Sequence, residues 1–203
     1  SCTGVMNIIN VAQGEYVILG GYITFGIYKL GVSPIYGMPF SFLFLFILGY
    51  ILYRLIVFRV VDKDMFISIL ATFGISIMIQ QFMNMFFGSQ VETALTGLGT
   101  IFFFDGNITI ALVKVFSFVI SILGAIAVIY FMRVSKLGRA IRATAQNPRA
   151  ARILGVDTEK VYAYTYAINA GLCGLAGSLV AMTYTLHPYI GLPYTVRSFM
   201  IVI

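Results

Sequence analysis

The stretch RVSKLGRAIRATAQNPRAARILGVDTEK, Arg133 to Lys160, decides how the chain is read. It holds seven of the thirteen basic residues (Arg133, Lys136, Arg139, Arg142, Arg149, Arg152, Lys160) against two acids, Asp157 and Glu159. It therefore carries nearly all of the net charge of +6. Long apolar runs flank it, and a basic segment between membrane spans belongs on the cytoplasmic face. Local signals make it more than a tether. Ala140, Ile141, Ala143 and Thr144 predict one short helix. Asn147-Pro148 breaks it, as N-cap and first residue of a second helix over Ala150 to Leu154, which Gly155 ends.

Working outward, 60% of the residues are hydrophobic and 10% charged, the balance of an integral membrane protein with several spans. The positive charge is then a topology signal, and no nucleic-acid surface is expected. Cys2 and Cys173 are too few for a disulfide framework, and Cys173, inside an apolar run, reads as a small core residue. No basic region precedes a cleavage site, so no signal peptide is read. The chain starts without Met and stops inside the apolar run Ser198 to Ile203, so a fragment incomplete at both ends is expected. The fold class is all-α: a polytopic transmembrane helical bundle with about five full spans plus a truncated one, forming a single domain over residues 1–203.

Val5 to Gly21 is apolar but interrupted by Asn7, Asn10, Gln13, Gly14 and Glu15. A carboxylate there is costly in lipid and should face the bundle interior or a water-filled path. Two readings stay open: an interfacial helix end with Glu15 in headgroup water, or a broken span lining a passage. Tyr16 to Leu30 continues the segment, and Gly31 to Pro39 reads as a loop. The next spans are Phe40 to Phe58 and the uncharged Met65 to Phe87, joined by the charged turn Val60 to Asp64. In the second of them Ser68, Thr72, Ser76 and Gln80 recur every fourth residue, as packing contacts or as a substrate-facing stripe. Gly88 to Asn107 is an outer loop, with room for a short re-entrant or surface helix. Ile108 to Met132 is a fourth span and Val161 to Leu186 a fifth. The fifth carries Gly171, Gly174 and Gly177 on a flank of small residues suited to close helix packing. A sixth begins near Thr195. This count places Arg59 to Asp64 and Arg133 to Lys160 inside, and Lys29, Glu92 and Arg197 outside. A single histidine, unsuitably spaced cysteines and no phosphate-binding loop give no catalytic centre, no metal site and no cofactor.

Two motifs carry a resemblance. In INVAQGEYVILGGY (Ile9 to Tyr22), residues Asn10, Ala12, Gly14, Glu15, Leu19, Gly20 and Tyr22 match the N-terminal signature of branched-chain amino-acid ABC transporter permeases. Gln13 stands where His is common in that family, and Gly21 where Ala is. GRAIRATAQNPRAARILGVD (Gly138 to Asp157) is similar to the same family's cytoplasmic loop, and GLPY (Gly191 to Tyr194) also fits. The resemblance implies a permease subunit of the cytoplasmic membrane. It would import branched-chain amino acids with a second, non-identical permease subunit, two ATP-binding subunits and an extracytoplasmic substrate-binding protein. Hydrolysis of ATP would occur in the separate subunits. Residues 133–160 would then be the coupling loop, with Arg139, Arg142, Asn147, Pro148, Arg149, Ala150, Ala151, Arg152, Leu154 and Gly155 meeting the ATPase. The arginines could instead meet only anionic membrane lipid. The substrate path would use Asn7, Asn10, Gln13 and Glu15, with Thr72, Ser76 and Gln80. The rivals are a urea, amide or sugar permease of the same superfamily, and a gradient-driven channel or secondary transporter.

Overall fold

A computed structural model describes residues 10–61, 65–88, 90–94, 100–103 and 108–202. Cys2, Asn7, Asp62, Lys63, Asp64 and Asp105 lie outside the described residues. The elements, in chain order, are α1 (Gln13–Lys29), α2 (Pro34–Leu55), a 3-10 turn (Val57–Arg59), α3 (Met65–Phe87), β1 (Thr100–Phe103), β2 (Ile108–Ala111), α4 (Leu112–Val134), α5 (Lys136–Gln146), α6 (Pro148–Ile153), α7 (Thr158–Thr183) and α8 (Gly191–Val202). Among the described residues, four helices are long and apolar enough to cross a membrane: Pro34–Arg59, Phe66–Phe87, Leu112–Val134 and Thr158–Thr183. The chain is a multi-pass helical membrane protein.

Several boundaries differ from the sequence reading. Only four helices meet the length of a full span, because α1 as described starts at Gln13 and its 17 residues reach about 25 Å. The loop expected over Gly31 to Pro39 is mostly helix: Pro34 opens α2 and Pro39 is tolerated in the next turn, at the loss of one backbone hydrogen bond. Ile108 to Ala111 are not part of the fourth span. They pair antiparallel with Thr100–Phe103, within the stretch read as an outer loop. α8 starts at Gly191 rather than near Thr195, since Pro193 fits a first helical turn.

The core is the three-helix contact of α1, α2 and α7. Tyr16 meets Tyr166 through a 2.9 Å hydroxyl contact, and Thr24 meets Ser178 at 2.8 Å, so α1 and α7 run parallel. Ser41 lies beside Thr24 at 3.0 Å, and the Tyr53 ring packs on Tyr166, so α2 runs the other way. Glycines permit this closeness. A Cβ at Gly20 would stand 2.6 Å from the Gly174 Cα, and one at Gly174 would stand 2.7 Å from the Ser41 carbonyl oxygen. A Cβ at Gly177 would overlap the Val17 carbonyl, and one at Gly171 would press on the Phe42 ring. α3 and α8 pack against α1, whereas α4 leans on β2 and α5, touches α7 thinly and has no buried residue. At the outer end Lys29 pairs with Glu92 at 3.9 Å, and Glu92 bridges to the Leu186 backbone.

Candidate functional site

α1 begins inside the protein. Its N-cap position is Ala12, which has no side chain to satisfy the orphan N–H groups of the first turn. Other elements supply the acceptors instead. The Gly14 N–H donates to Thr195 Oγ1 of α8 at 2.9 Å, and the Val11 N–H to Thr72 Oγ1 of α3 at 3.3 Å. Asn10 Oδ1 accepts the Ala12 N–H at 3.1 Å, closing a tight turn before the helix. Thr195 in turn donates toward the Val11 carbonyl at 3.1 Å. Two separate helices, α3 and α8, thus hold the polar turn at the start of α1.

Glu15 occupies the middle of this arrangement, 3% exposed. Ser76 of α3 lies beside its carboxyl. Gly191 lies so close that an added Cβ would overlap the carboxylate, which sits against the N-terminus of α8, where the helix dipole favours negative charge. Fourteen residues separate Glu15 from the outer residue Lys29. At 1.5 Å per residue that is roughly 21 Å along the helix axis. The headgroup-water reading of Glu15 does not survive this burial. α8 runs antiparallel to α1, since Gly191 meets Gly14 while Thr195 reaches back to Val11. Arg197 therefore lies on the inner side of Glu15, not at the outer face where the span count put it.

Of the residues read as a substrate path, Asn10, Glu15, Thr72 and Ser76 come together here, with Gln13 at the start of α1. Gln80 stands one turn outward of Ser76, half-buried. Among the described residues, Asn10 Nδ2 and Glu15 Oε2 are buried without hydrogen-bond partners. Sequence reasoning missed Thr195 and Gly191, which complete the turn from α8. The GLPY motif was the one available signal.

The basic segment between α4 and α7 is built from local caps. Ser135 Oγ accepts the Gly138 N–H at 2.8 Å, Asn147 Oδ1 the Ala150 N–H at 3.0 Å, and Asp157 Oδ1 the Lys160 N–H at 3.1 Å. Gly155, at φ 82°, ends α6: its N–H bonds the Arg152 carbonyl and the Val156 N–H the Ala151 carbonyl, the paired closure that a left-handed residue permits. Arg152 Nε donates to Thr158 Oγ1 at 2.7 Å and ties α6 to the first residue of α7. Backbone bonding to Lys160 holds the Asp157 carboxyl below its ordinary value of 3.8. Arg139, Arg142, Arg149, Ala150 and Leu154 are exposed, but Ala151 is 2% exposed and turned onto its own chain. Ala151 was expected to fill a partner's groove and cannot reach one. The exposed apolar pair is Ile153 (86%) with Leu154 (81%), and Ile153 went unnoticed because alternation within a six-residue helix carries no clear period.

The sequence model of the family described as branched-chain amino acid transport system / permease component matches residues 2–203. The chain is 27% identical over 213 residues to the high-affinity branched-chain amino acid transport system permease protein LivH of Salmonella typhimurium, covering 97% of this chain and 68% of that one. It is 27% identical over 210 residues, with the same coverage, to the permease protein BraD of Pseudomonas aeruginosa. It is 27% identical over 196 residues to a probable branched-chain amino acid transport permease protein LivH of Methanocaldococcus jannaschii, covering 91% and 60%. No solved structure matches the chain.

Proposed function

Since the chain belongs to the family of permease components of branched-chain amino acid transport systems, we propose that it is the membrane-spanning subunit of an ATP-driven importer of branched-chain amino acids. The observation that carries the coupling half of this reading is α6. A helix of six residues is too short to be stable alone, yet it is capped at both ends and clamped to α7 through Arg152 and Thr158. It also holds Ile153 and Leu154 out in water. An apolar pair on a rigid, basic, cytoplasmic helix suits a groove on a partner ATPase. Force on that helix passes into α7, whose glycines lock it to α1 and α2, so the three helices move as one body.

The transport half rests on the polar turn around Glu15. A zwitterionic amino acid needs a few hydrogen-bonding groups in an apolar passage. The proposed set is Asn10, Gln13 and Glu15 from the start of α1, Thr72, Ser76 and Gln80 from α3, and Thr195 from α8. The side chains of this set, gathered at the start of α1, are the hydrogen-bonding groups such a substrate would meet. The partners would be a second permease subunit, two ATP-binding subunits and an extracytoplasmic binding protein.

The test is co-purification of the full-length protein with the ATP-binding subunits of its organism in mild detergent. Wild type is expected to retain them, and Ile153→Glu/Leu154→Glu to lose them while inserting normally. Retention of the ATPase by the double variant would refute the docking role of α6. A wild type that binds no ATPase, yet carries solute down a gradient in vesicles, would refute ATP-driven import.

A further inference from the structure

α4 leaves a groove between itself and the rest of the bundle. The groove measures about 430 Å³, inside the roughly 300–1,000 Å³ range of small-molecule sites. Its walls are mostly apolar, with Phe42 of α2, Phe131 of α4 and Leu172 of α7, beside Thr165 and Asn169 of α7. Met132 and Ile141 line it at the α4–α5 junction, its cytoplasmic end. That junction is strongly basic. Arg142 donates through Nη1 to the Met132 carbonyl, and Arg139 does so to the Val134 carbonyl at 2.9 Å. Arg133 and Lys136 flank them, all four cations are exposed, and among the described residues none forms a salt bridge.

We infer that this groove is a binding site for an anionic phospholipid, with an acyl chain between α4 and α7 and the phosphate on the Arg139–Arg142 pair. The charge complementarity selects the headgroup, because a guanidinium offers paired N–H donors to phosphate oxygens, and basic pockets between spans on the cytoplasmic side are suited to such lipids. The apolar lining suits the tail, an acyl chain lying along the groove. A lipid here would fill the space that leaves α4 without a buried residue, and would bind α4 to the bundle on the side of the basic segment.

The experiment is native mass spectrometry of the full-length protein in its assembled complex, after exchange into mixed micelles of phosphatidylglycerol or phosphatidylcholine with identical acyl chains. Wild type is expected to retain phosphatidylglycerol selectively. Arg139→Gln/Arg142→Gln should lower that retention roughly 30-fold, the effect of removing two interfacial cations. Gly124→Phe attacks the tail alone. A Cβ at Gly124 meets no protein atom within 4 Å, and Gly124 lines the groove, so the larger ring is expected to occupy the groove, and retention should fall with the arginines intact. Lys136→Gln, which removes a cation bonded to no α4 carbonyl, is expected to cause a smaller loss and covers the case in which the arginine pair is needed for folding. Equal retention of the two lipids by wild type would overturn the headgroup assignment. Wild-type retention by Gly124→Phe would overturn the groove, and so would loss of a protein partner, instead of lipid, in that variant.

Discussion

Replacing Gly174 by alanine tests the packing that makes α1, α2 and α7 one body. The new Cβ would stand 2.7 Å from the Ser41 carbonyl oxygen and 2.8 Å from Leu45 Cδ1. Comfortable contact between heavy atoms lies near 3.5–4.0 Å, so α2 must retreat by about 1 Å. Retreat stretches the Thr24–Ser41 contact from 3.0 Å and the Ser41 bond to the Gly20 carbonyl from 3.1 Å, both beyond hydrogen-bonding range. Overpacking costs about 1–3 kcal/mol. Two interhelical hydrogen bonds add about 0.6 kcal/mol each. The helix-propensity gain of alanine over glycine returns about 1 kcal/mol, leaving a net loss of roughly 1–3 kcal/mol. Gly74→Ala in α3 is the matched control, because its Cβ meets nothing within 4 Å and only the propensity gain applies. Reversible unfolding in mixed micelles, followed by helical circular dichroism, should place Gly174→Ala below wild type and Gly74→Ala at or above it. Equal stability of the two variants would show that α2 does not rest on α7 as described.

Two further predictions concern the ionisable groups. Glu15→Gln keeps the shape of the side chain but removes its charge at the α8 N-terminus. Uptake in proteoliposomes is expected to fall at least tenfold with the assembled complex intact, whereas failed assembly with no folded product would assign Glu15 to structure and not to the path. The Asp157 cap gives a pH signature: its folded-state value is depressed, so its contribution to α7 is present above the ordinary value of 3.8 and lost as pH falls below it. The acid limb of the unfolding curve should therefore flatten in Asp157→Asn, and an unchanged limb would mean that the cap does not form.

What was legible in the sequence was whatever short-range chemistry dictates. The membrane class follows from composition. The breaks of the basic segment follow from Asn147, Pro148 and Gly155, because each cap closes over three to five residues and needs no distant partner. The family motifs likewise lie in continuous runs. The tertiary structure decided the rest. The partners of the α1 entry turn lie 61 and 181 residues away, on Thr72 and Thr195, a distance across which no periodicity speaks. The buried face was legible only where small residues marked it, as Gly171, Gly174 and Gly177 do in α7; elsewhere both faces of a helix in lipid are apolar. Gly20 meets backbone while Gly26, Gly74 and Gly124 meet nothing, yet as letters in apolar helices they are alike. Only the packing of neighbouring helices separates a glycine that permits a contact from one that borders open space.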